Sequence, residues 1–375
     1  MSMQTAEIIF ENSAEDDFLR DRPVKCGLPA HAYTSDAFFE AECSRLFPAA
    51  WTFVGFAQEM PRPGDVAPVT VGGLPVLLVR NGDDEIAAFH NVCRHRCAIL
   101  VDAPANVGHF LRCPYHCWVY DLDGALRKAP HFGGPGKEYP DGFTPDEHGL
   151  VPVRCTVWHD WIFVNLDGNA PSFDDYAAAL QGRLAGIPFD SLRPIGMIDL
   201  GEVATNWKFL MENFIEPYHV QFVHPRTTRQ PLLNHSTFVD GPCLGSTVDL
   251  DEAPAGPKGG AAKLDVSSRY LTLFPNFVLG WYEPDQLGVH LNVPLGPGRT
   301  AQRRVLYHTG AEALPDATVE ETKDLWRKVH REDHEICERL QRGRASPVAA
   351  AGGVLSPHWE DCVRAFQDLV AGAVE

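Results

Sequence analysis

The sequence predicts an α+β protein: a small all-β unit, then a larger unit of antiparallel strands flanked by helices. Three observations lead there. Short apolar runs broken by Pro/Gly/Asp turns fill residues 46–165. Helical periodicity returns after Asn169, in FDDYAAALQGRLAG and again from about residue 318. Between those helices, SSRYLTLFPNFVLGWYEPD and LGVHLNVPLGPGRTAQRRVLYHTG are strand-like. The expected units are an N-terminal arm with a short helix (1–45), the β unit (46–165) and the larger unit (166–375).

Bulk properties narrow the function. At 375 residues the chain can form one large or two ordinary domains. Its net charge of -18 leaves no basic stripe to neutralise phosphates, so nucleic acid is not an expected partner. It lacks an 18-residue apolar run, so no membrane span is expected. The acidic N-terminus lacks the layout of a signal peptide, and a cytoplasmic location is expected. Ten cysteines in this length are too few for a disulfide scaffold.

In chain order, Ser35 is placed to cap DAFFEAECSRLF. Strands are expected at TFVGFAQEM, VAPVTVGG, PVLLVRNG and IAAFHNV, then near LRCPYHCWVYDLDG and GLVPVRCTVWHDWIFVNLD. Residues 198–205 read as a strand leading into NWKFLMENFIEPYHVQFVHP. The run APAGPKGGAA (253–262) reads as a loop over the larger unit. A helix over about 318–342 and one more in the tail complete the chain.

Two groups of residues carry chemistry. The first is Cys93-x-His95 and, after seventeen intervening residues, Cys113-x2-His116. Two thiolates and two imidazoles suit a structural zinc or a Rieske [2Fe–2S] cluster. Zinc fingers more usually pair Cys-x2-4-Cys with His-x3-5-His, so the doubled Cys/His loop favours the cluster. The second is Asn213, Glu216, His219 and His224, in the pattern N-x2-E-x2-H-x4-H. An O2-activating iron takes two histidines and one carboxylate on one face. A five-residue separation does not align on a regular helix, so the helix must bulge or end between the two histidines, and Pro225 suggests that it ends nearby. Helical phase selects the carboxylate. Trp326, Val329, Ile336, Cys337 and Leu340 share a face with Asp333 at its centre, and Glu335 and Glu338 point to solvent. Glu332 is the alternative third ligand.

CRHRCAIL and CPYHCWVYDLDG, together with ENFIEPYHVQFVH, resemble the Rieske non-haem iron oxygenases, the α-subunits of aromatic-ring-hydroxylating dioxygenases. The likeness runs over nearly the whole chain. It implies a Rieske domain and a helix-grip, START-like catalytic domain with a curved antiparallel sheet. It implies a [2Fe–2S] cluster on Cys93, His95, Cys113 and His116, and Fe(II) on His219, His224 and Asp333. It implies O2 as co-substrate, NAD(P)H electrons delivered by a separate flavin/iron–sulfur reductase, and a head-to-tail homotrimer. In such a trimer Glu216 would bridge His116, or His95, of the next chain to His219 or His224, and Asn213 would line the iron pocket. Where the family usually has Asp, this chain has Glu216, as in family members acting on carnitine and glycine betaine. Cys97 and Cys117 stand where the family often has glycine, and are expected to be small buried residues.

The implied reaction hydroxylates a small substrate; at an N-methyl group the product would collapse with loss of formaldehyde. Glu216 and the acidic surface point to a quaternary ammonium substrate, with an aromatic ring or aromatic acid as the alternative. The aromatics Trp207, Phe214, Tyr218, Phe222, Tyr270, Phe274, Phe277, Trp281 and Tyr282 could box a methylammonium or stack on a ring. From a different class, a Rieske electron carrier would lack the second iron, and a zinc-stabilised binding module would lack both centres.

Overall fold

The computed structural model describes residues 26–228, 230–250, 264–310 and 312–375. Most of the expected N-terminal arm and the expected loop at 253–262 therefore lie outside the described residues. Ser35 caps helix α1 (Asp36–Ala41), its Oγ accepting from the Phe38 amide at 3.3 Å. The next turn carries Glu42 into the interior, where its carboxylate meets Lys208 Nζ at 2.5 Å and accepts from Trp207 Nε1 at 3.1 Å. This buried ion pair fastens the arm to the helix that leads into the second ligand set.

The β unit follows: β1 (Thr52–Phe56), β2 (Asp65–Val71), β3 (Leu74–Arg80), β4 (Ile86–His90), β5 (Ala105–Asn106), β6 (Phe110–Arg112), β7 (Val119–Asp121), β8 (Leu126–Lys128), β9 (Pro152–Trp158) and β10 (Trp161–Asn165). Seven of these form one sheet in the order β1-β10-β9-β4-β3-β2-β5, and β6-β7-β8 form a small separate sheet. Strands β1 and β10 are buried along their whole length, because both faces are covered. Phe53 and Phe163 each pack on Phe277 of the second sheet at 5.1 Å, and the Phe53 amide donates to Asn276 Oδ1 at 2.9 Å.

Helix α2 (Phe173–Arg183), capped by Ser172, leads to the second sheet. Its strands are β11 (Arg193–Val203), β12 (His235–Asp240), β13 (Cys243–Val248), β14 (Ser268–Leu273), β15 (Phe277–Tyr282), β16 (Gln286–Gly296) and β17 (Arg299–His308). The order β11-β17-β16-β15-β14-β13-β12 is an antiparallel meander with the first strand returned to the far edge. Between β11 and β12 lie α3 (Trp207–Ile215) and the single turn α4 (Val220–Val223). Long helix α5 (Asp316–Gly343) and terminal helix α6 (Asp361–Val374) complete the grip on the sheet. Among the described residues no helix is long and apolar enough to cross a membrane.

Two expectations for α5 need correction. Trp326, Val329 and Cys337 are buried, but Leu340 is half-exposed. The inward position one turn after Cys337 is Gln341, whose amide bridges the Asn206 N–H and the Tyr33 carbonyl where α5 crosses the start of α3. Glu338 is half-buried and accepts from the Ala204 amide at 3.4 Å, whereas Glu335 does face solvent.

Candidate functional site

Asn206 caps α3 by accepting from the Lys208 amide at 3.0 Å. The helix ends at Glu216, held extended (φ -100°, ψ 140°) as the residue before Pro217 requires. The chain then makes the one-turn α4, with His219 as its N-cap and His224 as its C-cap. The break therefore falls before the first histidine and not between the two as expected, because Pro217 already ends α3, and the histidines bracket a single turn. That turn directs both imidazoles at α5.

Three donor groups converge there: His219, His224 and Asp333 offer ligand atoms that all lie within 4.8 Å of one another. Asp333 Oδ1 is 3.0 Å from His224 Nε2 and 3.8 Å from His219 Nε2. The far side of each ring is held by another carboxylate. Glu216 Oε1 is 2.6 Å from His219 Nδ1, and Glu332 Oε2 is 2.7 Å from His224 Nδ1. Asn213 donates through Nδ2 to Asp333 Oδ1 at 2.9 Å. With Nδ1–H of each imidazole donated outward, each Nε2 lone pair faces the centre, as metal ligation requires.

Electrostatics give the same answer. Burial pulls His224 down, but hydrogen bonds to Asp333 and Glu332 outweigh it and raise its pKa to about 9. His219 is also raised, Glu216 overcoming burial. Asp333 is held well below the usual carboxylate range, its bond to His224 overriding burial. Three carboxylates around two imidazoles make a centre that attracts positive charge, and the inward set of two nitrogens and one oxygen is a donor set that Fe(II) accepts.

The centre opens into a cavity between the sheet and α5. Of the aromatics weighed from sequence, Phe214, Tyr270 and Tyr282 line it. Trp207, Phe274, Phe277 and Trp281 are core, and Tyr218 and Phe222 are exposed. Sequence reasoning missed Arg304, His235, His290 and His330 in the cavity wall, and missed that Trp326 borders it. Alternation along β16 and β17 could have flagged His290 and Arg304 as inward-facing polar residues. Burial keeps His235 neutral, its pKa lowered to about 4, and holds His290 and His330 well down.

The other ligand set lies on two matching loops. Cys97 N donates to the Cys93 carbonyl at 3.0 Å, and Cys117 N to the Cys113 carbonyl at 3.1 Å. Cys93 and Cys113 are buried, while the rings of His95 and His116 lie 4.6 Å apart towards the surface. Tyr120 closes the base: its hydroxyl accepts from the Arg94 amide at 3.0 Å and lies 3.3 Å from Cys93 Sγ. Thiols inside and imidazoles outside suit a cluster with two cysteines on one iron and two histidines on the other. Cys97 and Cys117 are not buried. Both are exposed and left-handed, with φ of 58° and 57°. Each closes its loop in a conformation that favours glycine.

Residues 50–140 match the family described as Rieske [2Fe-2S] domain, and residues 189–375 match the ring hydroxylating alpha subunit (catalytic domain). The chain is 30% identical to the chloroplastic choline monooxygenase of Spinacia oleracea over 337 residues, covering 88% of this chain and 74% of that one. It is 29% identical to the glycine betaine monooxygenase oxygenase subunit of Chromohalobacter salexigens, covering 95% of this chain and 87% of that one. A crystal structure of a quaternary ammonium Rieske monooxygenase superposes with a TM-score of 0.81 at 24% identity, covering 96% of this chain and 98% of that one.

Proposed function

The chain belongs to the Rieske-type ring-hydroxylating oxygenases, and we propose that it is the oxygenase component of a monooxygenase that oxidises a small N-methylated quaternary ammonium compound. Chains of this family are oxidoreductases that carry a Rieske [2Fe–2S] cluster and a mononuclear iron and take electrons from a separate reductase. The observation that carries the reading is the inward-facing set of His219, His224 and Asp333 at the end of an aromatic-walled cavity, in a chain whose relatives are named for choline and glycine betaine.

When bound, the iron supplies O2 activation and the cluster supplies the electrons. In our reading Cys93, His95, Cys113 and His116 hold the cluster, within a unit spanning 46–165. His219, His224 and Asp333 hold the iron, within a unit spanning 166–375 on which the described part of the 1–45 arm, from residue 26, packs. Glu216 and Glu332 keep both imidazoles in the tautomer that turns Nε2 inward. Asn213 holds the Asp333 carboxylate in place from α3. Phe214, Tyr270 and Tyr282 supply aromatic faces for a methylammonium group and keep water from the reacting carbon.

We also place the chain in a head-to-tail homotrimer. Exposed His116 of one copy then meets half-buried Glu216 of the next, whose carboxylate already holds His219. The test is a substrate screen with a generic Rieske reductase, following O2 uptake and product mass. Betaines and choline should consume O2 and lose one methyl group or gain one oxygen. Turnover of aromatic acids alone overturns the quaternary ammonium reading.

A further inference from the structure

The cavity wall contains a cation with no anion. Arg304 on β17 is 1% exposed, and its Nε has no hydrogen-bond partner. Its other contacts are long: Nη1 lies 3.4 Å from His330 Nε2, and Nη2 lies 3.5 Å from the Tyr282 hydroxyl. Among the described residues it has no ion-pair partner, and the cavity carboxylate whose charge it feels, Asp333, is engaged with His224 and Asn213. An arginine does not escape burial by losing its proton, so the desolvation cost stands until an anion arrives.

The fold makes room for this group deliberately. Gly280 of β15 and Gly288 of β16 face each other in register near the middle of the sheet. A Cβ on Gly288 would come within 2.3 Å of Arg304 Nη2 and 2.5 Å of Nε; one on Gly280 would come within 2.2 Å of the Tyr282 hydroxyl. Both side chains are thus given up where Arg304 and Tyr282 lie. Trp326 packs against the guanidinium, its ring centre 3.4 Å from Cζ, and stiffens the fork.

We propose that Arg304, assisted by the Tyr282 hydroxyl, receives a carboxylate borne by the substrate, so that the preferred substrate is a betaine rather than an amino alcohol. The ammonium half of that statement rests on the function proposed above; the carboxylate half rests on Arg304 alone. The Nε–H and Nη–H groups of a guanidinium match a carboxylate as two parallel donors. The same cavity presents the His219/His224/Asp333 group, so a short substrate anchored at Arg304 is oriented with respect to it. A purely cationic substrate would instead add a second positive charge beside an uncompensated one.

Equilibrium calorimetry under argon on the fully metal-loaded protein tests this with two matched pairs: glycine betaine against choline, and benzoate against benzyl alcohol. The expected result is tighter binding of the carboxylate in at least one pair. Arg304→Gln should then weaken that carboxylate about 100-fold and leave its alcohol unchanged, with Arg304→Lys regaining part of the loss. The cluster spectrum and melting curve check that the variants fold, and the wild-type pairs decide the matter if they do not. Benzoate binding without betaine binding keeps the carboxylate receptor and sinks the ammonium reading. Choline binding as tightly as glycine betaine, with benzoate no tighter than benzyl alcohol, sinks the receptor and keeps the ammonium reading. Binding of neither carboxylate overturns the proposal.

Discussion

Glu332 Oε2 accepts from His224 Nδ1 at 2.7 Å, while its neighbour Asp333 faces Nε2 of the same ring at 3.0 Å. Adjacent residues on one helix thus grip opposite sides of one imidazole. Thr227 donates its hydroxyl to the same Glu332 oxygen at 2.7 Å, which fixes the outer carboxylate. The difference in position predicts a difference in phenotype. Asp333→Ala should lose the mononuclear iron and keep the cluster spectrum. Glu332→Gln should retain the iron with affinity lowered about 10- to 100-fold. Iron analysis with titration of the apo-protein separates them; equal iron loss in both would remove the distinction.

Glu216 holds His219 and leaves 11% of its side chain exposed. In the trimer reading, Glu216→Gln keeps both metals and slows electron delivery. Single-turnover absorbance at the cluster measures this directly. An unchanged rate would restrict Glu216 to positioning His219.

Replacing Cys97 or Cys117 by glycine should stabilise the cluster-bearing unit by about 1 kcal/mol each, because both residues are left-handed and exposed. Denaturant midpoints of the holoprotein give the readout, with the cluster spectrum unchanged. A fall in midpoint would mean that these side chains make contacts worth more than the strain.

Lys208 and Glu42 form an ion pair with both side chains 0% exposed. Lys208→Met alone strands a buried carboxylate and should cost about 3–5 kcal/mol. Adding Glu42→Leu should recover most of it, measured as a double-mutant cycle in urea. Additive losses would contradict a coupled pair.

Glu212, buried beneath the Tyr33 hydroxyl at 2.6 Å, has its pKa raised by burial to about 7. A folded pKa above the unfolded one favours the protonated form. Its contribution is therefore complete below about pH 4.5 and lost as pH rises to about 7. Glu212→Gln should flatten this fall, gaining about 3 kcal/mol relative to wild type between pH 4.5 and 8. Urea midpoints at both pH values test the sign, and a parallel shift at both would refute it.

The sequence alone pointed to a β unit followed by a larger mixed one, to the cysteine–histidine loops, and to Asp333 as the acid of α5 that lies with His219 and His224. Each of these is written in local order: strand alternation, a repeated ligand spacing, and helical phase. Cys97 and Cys117, by contrast, were expected to be buried and are exposed in left-handed turns. Tertiary structure decided what depends on residues far apart in the chain. Glu332 became a support for His224 because α4 packs across α5. Of the nine aromatics four went to core, three to the cavity and two to the surface, according to which sheet face was already covered. Arg304 acquired meaning only when β15 and β16 brought Gly280 opposite Gly288 beneath it. Burial and the absence of a partner arise from packing between strands, and no local pattern in the chain encodes them.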